Sequence, residues 1–229
     1  MKVAIVRFPG SNREVDAYRA ALADGNEATL VWHRSTDLEN ADVVILPGGF
    51  SYGDYLRPGA IARFSPVMPA VTRHAHAGRP VLGICNGFQI LCEAHLLPGA
   101  LVRNAQLAFV AKMVTARIES DTTPFTANYR VGQEVRWPVA HGDGRYVADE
   151  ATLDGLEREG RVVFRYVGTS PNGALHDIAG ICNEGRNVVG LMPHPESATD
   201  ALVGSADGAP MFALTAAQAG VREEGVVHA

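Results

Sequence analysis

Continuous apolar strands alternating with helical segments constrain this chain more than any other feature of its 229 residues. Met1 to Phe8 and RPVLGI (from Arg79) are continuous apolar runs, the pattern of strands covered on both faces. EATLVWH, from Glu27, and ADVVILP, from Ala41, read as two further strands. Between them lie helical segments. One starts with Ser11 or Asn12 as N-cap and stops at Gly25, and the others span Pro58 to Ala77 and Asn86 to Leu96. This alternation predicts a parallel, doubly wound α/β sheet.

The pattern changes after about residue 105. LAFVAKMVTARIES, EVRWPVAHGDGRYVAD, RVVFRYV, HDIAGICN and NVVGLMPHP are strand-like, separated by turns such as SPNGA and NEGRN. This half reads as more antiparallel, with short helices at Ala151–Glu159 and near Pro210–Ala219. No repeat or linker interrupts the chain. The expectation is one domain over residues 1–229, built on an open, mixed, mostly parallel sheet flanked by helices.

Composition supplies enough apolar material for a sizeable core, with 47% hydrophobic residues. A net charge of −5, with scattered arginines, offers no basic surface for nucleic acid. The three cysteines, Cys85, Cys92 and Cys182, form no C-x-x-C pair, which argues against a zinc cage. Their sparse, odd number fits a reducing compartment. No signal segment and no run of membrane-spanning length is seen, so a cytoplasmic chain without membrane partners is expected.

VLGICNGFQIL holds the chemistry. A strand leads into Gly83-x-Cys85-x-Gly87 and then a helix. Small residues two before and two after the cysteine permit a nucleophile elbow, which lifts Cys85 above the carboxyl edge of the sheet. Unpaired N–H groups at the helix start favour a thiolate, and the Asn86 N–H is a natural oxyanion donor. Gln89, one turn on, can turn its amide to the same pocket. On this stretch alone, a buried core cysteine fits as well as a nucleophile. Cys92 and Cys182, set in apolar segments, read as core residues.

A nucleophile needs a base. GLMPHPES places His194 and Glu196 after a predicted strand, between prolines that stiffen the segment. In an extended segment residues i and i+2 point the same way, so Glu196 can orient the imidazole, completing a Cys–His–Glu triad. LPGGFSYGDYLRPGA adds a glycine pair after a strand, where Gly49 or Phe50 can give a second oxyanion donor. As a phosphate loop this stretch fails, for it has no G-K-[ST].

These pieces together resemble the class I, triad-type glutamine amidotransferases. The general signature is G-x-C-x-G-x-Q plus P-H-P-E, and a narrower likeness to the glutaminase subunits of purine synthesis rests on further segments. These are PGGFSYGDYLRPGAIA, CNGFQIL, Arg103-Asn104, TPFTANY, HGDGRY and SPNGALHDIAGICN, which span almost the whole chain. The resemblance implies a flavodoxin-like fold and roles for matching positions. Cys85 attacks the side-chain amide of glutamine, His194 carries the proton and Glu196 orients it. Gly49 and Asn86 hold the oxyanion, while Gln89, Phe50, His141 and Gly142 help seat glutamine. It implies no metal or cofactor on this chain. ATP and Mg2+ belong to a separate synthetase subunit that receives the ammonia, bridged by a small third subunit.

The sequence departs from that pattern at three places. Asp143 stands where Glu is expected in HGDGRY, Ala174 where Ser is expected, and Ser197 where Arg is common. The rival readings are a PfpI-type cysteine hydrolase, a class I subunit serving another synthetase, and a degenerate amidotransferase kept as a binding or scaffold subunit, against which the intact Cys85, His194 and Glu196 argue. The hydrolases usually carry His directly after the elbow cysteine, where this chain has Asn86.

Overall fold

A computed structural model describes residues 1–220. Among the described residues there are eleven strands: β1 Lys2–Arg7, β2 Glu27–Trp32, β3 Val43–Leu46, β4 Val81–Ile84, β5 Ala100–Val102, β6 Val110–Ile118, β7 Glu134–His141, β8 Arg145–Val147, β9 Val162–Tyr166, β10 Ile178–Cys182 and β11 Val188–Leu191. The helices are α1 Glu14–Ala23, α2 Met68–His76, α3 Asn86–Glu93, α4 Glu150–Arg158 and α5 Ala209–Phe212. Nine strands form one open sheet in the order β2-β1-β3-β4-β11-β10-β9-β6-β7, and β5 pairs with β8 in a separate ribbon.

Strands β2, β1, β3, β4 and β11 run parallel. From β11 outward, β10, β9, β6 and β7 pair antiparallel, so the expected change of pattern along the chain is real. The central strands β3, β4 and β11 are buried at every residue, as continuous apolar runs require. Trp137 on β7 is fully buried and meets Phe164 of β9 edge to face, with ring centroids 5.4 Å apart. The antiparallel half therefore shares the same core.

The register at the centre of the sheet positions the site. Leu46 of β3 and Gly190 of β11 both lie beside Gly83 of β4, in one row across three strands. The residues just past that row, Gly48-Gly49, Cys85 and Met192 to His194, leave the sheet together at its carboxyl edge. Gly83, Gly87 and Gly190 are required there. A Cβ on Gly87 would lie 1.9 Å from Leu46 O, and one on Gly190 would lie 2.1 Å from the Phe88 ring. A Cβ on Gly83 would lie 2.7 Å from the Gly87 backbone. The strand-to-helix turn is this tight because α3 sits directly on β3 and β4.

Several sequence expectations need correction. Ser11 and Asn12 do not cap α1, which begins after Arg13 without a side-chain cap. They are held instead against the glycine pair, with Ser11 bridged to Gly49 and the Asn12 N–H donating to Gly48 O. Pro58–Ala77 is not one helix. Pro66 interrupts it, leaving a short 3-10 turn at Ala62–Phe64 and then α2. HGDGRY turns out of the main sheet rather than continuing β7, so β8 pairs with the unanticipated β5. Helix near Pro210–Ala219 is limited to the single turn of α5.

β7 is an edge strand, and Pro138 sits on it because an edge tolerates a missing N–H. On its open side the Arg136 N–H donates to Asp207 Oδ2 at 2.8 Å.

Replacing Gly87 by alanine is expected to lower the thermal midpoint by about 3–10 °C, since overpacking costs about 1–3 kcal/mol. Gly78→Ala, where a Cβ meets nothing within 4 Å, loses only the cost of its left-handed φ of 77°. Calorimetry on the two variants checks the order.

Candidate active site

Cys85 occupies the elbow with φ 50° and ψ −102°, a conformation that a non-glycine residue holds only when its surroundings enforce it. Two bonds enforce it. The Cys85 N–H donates to Leu191 O at 2.7 Å, and the Gln89 N–H returns to Cys85 O at 3.1 Å. Cys85 is 5% exposed and lines a cavity, with Sγ 3.9 Å from Ala140 O on the open edge of β7. Cys92 and Cys182 are core residues, as expected. Burial raises both thiols, Cys182 to about 11.

His194 follows β11 and is anchored by its N–H, which donates to Pro138 O at 2.8 Å. Its Nδ1–H donates to Glu196 Oε1 at 2.6 Å. The pairing was legible, but the geometry behind it was not. Pro195–Ser197 is a 3-10 turn rather than an extended segment, and the turn brings the carboxylate back to the ring. With Nδ1 engaged, Nε2 has no hydrogen-bond partner among the described residues, and the ring shares a cavity of about 200 Å³ with Cys85. Burial alone would lower the His194 pKa, but the Glu196 carboxylate and then the Cys85 sulfur outweigh it and raise the pKa well above the usual histidine range. The imidazole is therefore held as a cation.

Gly49 carries φ 147° and lies so close to Ser11 and Asn12 that a Cβ would meet Asn12 N at 2.8 Å. The Phe50 N–H donates to Gly10 O at 2.9 Å, so Phe50 is not the oxyanion donor. Gly49 N–H makes no such bond among the described residues, and the α3 N-terminus supplies Asn86 N–H without an intrahelical acceptor. Gly49 shares its cavity with Cys85, and Asn86 is the next residue of the chain.

The Asn86 and Gln89 side chains do something the sequence reading did not anticipate. Asn86 Oδ1 accepts from Ser51 N–H at 3.2 Å, and its Nδ2 donates to Gln89 Oε1 at 2.9 Å. Gln89 Nε2 donates to Asp143 O at 2.7 Å. One buried amide chain thus ties the loop after β3, the elbow and the β7–β8 turn together. Gln89 still borders a cavity of about 130 Å³ with Gly49, Phe50, Cys85, His141 and Gly142.

His141 is buried and serves the same turn. Its Nδ1–H donates to Asn104 Oδ1 at 3.2 Å, and the Asn172 amide points at Nε2 at 3.5 Å. Burial first, and then the His194 cation, lower its pKa to about 4, so it stays neutral. Asn104 also accepts from Gly144 N–H at 2.9 Å and donates to His141 O at 2.9 Å. Asn172 donates to Gly144 O at 2.7 Å. The Arg103-Asn104 and SPNGA segments therefore brace HGDG; their chemistry was visible only as motif, because each bond crosses more than twenty residues.

Four residues that line the Cys85 cavity were not singled out: Asp54, Pro58, Phe109 and Ala140. Phe109 stacks against Phe50 at 6.5 Å between centroids, and both rings are about half exposed at the mouth. Among the described residues no group of three or more His, Cys, Asp or Glu could hold a metal, and no helix is long and apolar enough to cross a membrane.

This arrangement suits acyl transfer: the Cys85 sulfur, a charged imidazole with a free Nε2 and Gly49 line one cavity, and the Asn86 N–H follows the sulfur directly along the chain. Comparison with known proteins points the same way. Residues 1–210 match the CobB/CobQ-like glutamine amidotransferase domain. The chain is 59% identical to the phosphoribosylformylglycinamidine synthase subunit PurQ of Rubrobacter xylanophilus over 208 residues, 91% of this chain and 94% of that one. It is 55% identical to the Streptomyces coelicolor protein of the same name, covering 92% and 94%. A solved structure, PurLQS from Thermotoga maritima, matches with TM-score 0.85 and 44% identity over 92% of this chain and 95% of that one.

Replacing Glu196 by glutamine removes the main anion that raises His194. The imidazolium's contribution to stability, complete below the ordinary histidine pKa and lost as pH rises through the raised one, then disappears at lower pH. An NMR titration of the His194 ring in the two proteins reads this shift. Asn104→Ala, which leaves the His141 N–H and Gly144 N–H unpaired, is expected to destabilise the fold by about 1–3 kcal/mol in a denaturant titration.

Proposed function

The chain belongs to the CobB/CobQ-like glutamine amidotransferases, and from that membership we propose how its residues carry out the reaction. Its function is that of the glutaminase subunit of phosphoribosylformylglycinamidine synthase. It hydrolyses glutamine and delivers ammonia to a PurL synthetase subunit, in an assembly with PurS. We read the chain as one catalytic domain working in the cytoplasm.

In the proposed cycle the Cys85 thiolate adds to the δ-carbon of glutamine. The carbonyl oxygen becomes an oxyanion held by the N–H groups of Gly49 and Asn86. His194 gives its Nε2 proton to the departing nitrogen, the C–N bond breaks, ammonia leaves and a γ-glutamyl thioester remains. Neutral His194 then takes a proton from water, whose oxygen attacks the thioester. The C–S bond breaks, glutamate departs and the thiolate–imidazolium pair is restored. Glu196 holds Nδ1 and so keeps Nε2 turned to the sulfur. The amide chain through Asn86 and Gln89 fixes the cavity that Phe50, His141 and Gly142 border. ATP and Mg2+ act on the synthetase subunit. The single observation that carries this reading is the convergence of Cys85, Gly49 and His194 on one cavity, with Glu196 2.6 Å behind the imidazole.

Cys85→Ala is expected to abolish glutamine-dependent synthesis by the assembled synthase while synthesis from added ammonia persists; equal loss of both overturns the assignment. Intact-mass analysis of the wild type during turnover should find the glutamyl adduct on Cys85. Glu196→Ala is expected to slow glutamine hydrolysis less than His194→Ala does, since triad members act unequally.

A further inference from the structure

The cavity on the Gln89 side of Cys85 contains a carboxyl group that the cycle above does not use. Asp54 lines it together with Asp143, whose charge it feels. Asp54 Oδ1 is buried and has no hydrogen-bond partner among the described residues. A desolvated carboxylate oxygen left unpaired is unfavourable, so its placement calls for a partner that arrives from outside.

The backbone makes the placement deliberate. Tyr52, Gly53, Asp54 and Leu56 all carry positive φ, between 55° and 69°, which is strained for every one of them except the glycine. The segment is fixed on both sides of the strain. Ser51 N–H bonds to Asn86, and the Tyr52 hydroxyl sits 2.8 Å from His33 Nδ1 and 2.9 Å from Ser65 Oγ. Rigid anchors thus force an acidic side chain into the cavity of the nucleophile.

The charge balance of the cavity identifies the missing partner. Among the described residues no lysine or arginine lines it, and the only histidine that does, His141, is held neutral. Nearby Arg57 is engaged elsewhere, by Glu93 at 2.6 Å. Burial first, and then Asp143, push the Asp54 carboxyl up to about 6, as two acids without a cation must do. The complementary positive charge has to come from the ligand. Resting on the glutaminase reading, the ligand is an amino acid whose amide reaches Cys85, and it carries one cation.

We propose that Asp54 is the group that recognises the α-ammonium of glutamine, and that it thereby restricts the site to the free amino acid. An amide substrate without that ammonium, whether acylated, peptide-bound or deaminated, leaves the buried Asp54 Oδ1 unpaired.

The test uses the assembled synthase. Asp54→Asn preserves shape and tolerates positive φ. It is expected to raise KM for glutamine about 10- to 100-fold, the usual effect of a lost charge-assisted hydrogen bond, with kcat within about threefold. Synthesis from ammonia should be unchanged. The decisive readout is the preference for glutamine over 4-carbamoylbutanoate, which lacks the α-ammonium; it should fall by the same factor as KM rises. An unchanged KM, or equal losses for both amides, overturns the assignment. A measurement needing no variant is hydrolysis of N-acetylglutamine by the wild type, and efficiency equal to that of glutamine also overturns it. Cys85→Ala run alongside keeps the two readings apart: if that variant still uses glutamine, the glutaminase reading has failed rather than the Asp54 assignment.

Discussion

The site depends on one row of the sheet. Leu46, Gly83 and Gly190 stand side by side on three parallel strands, and each strand ends at that row or one residue beyond it. Segments more than a hundred residues apart are thereby released at one edge, within reach of one another. The row holds only because α3 can settle onto it, and a single hydrogen bond, from Cys85 N–H to Leu191 O, joins the elbow to the strand that carries the base. Glycine at 83, 87 and 190 is the steric condition for that contact.

On this frame the protein keeps charge where water is scarce. His194 and Glu196 are both buried, and burial disfavours the imidazolium. The carboxylate at 2.6 Å and the sulfur opposite it reverse that preference. Neutral groups provide the rigidity. Asn86, Gln89, Asn104 and Asn172 cross-link four loops through side-chain amides, each of which both donates and accepts. An amide can brace a buried turn without adding a charge that would compete with the imidazolium.

Much of this was legible in the sequence, where local chemistry dictates local form. The apolar runs gave the central strands, and G-x-C-x-G gave the elbow, because both are properties of neighbouring residues. P-H-P-E gave the His–Glu pair although it misled about the backbone between them. What stayed hidden was mostly long-range or competitive. Phe50 and Gly49 look equivalent as oxyanion donors until Gly10 is seen to occupy the Phe50 N–H. Ser11 and Asn12 look like helix caps until the glycine pair claims them. Gln89 reads as a substrate ligand, yet it also spans the gap to Asp143. Pairing of β5 with β8 had no signal, since three-residue strands carry too little pattern.

The outer strand of the sheet has an unusual neighbour. The outward-facing groups of β7 at Arg136, Pro138 and Ala140 meet Asp207, the His194 amide and the Cys85 sulfur in turn, with a proline removing one donor altogether. An uncovered edge is a template on which a second chain can add a strand and begin an aggregate. Here the segment that carries the base is also the cover. Loosening it would strip the border of the sheet at the same moment as it disarmed the thiol, so colloidal behaviour and turnover are guarded by the same few bonds.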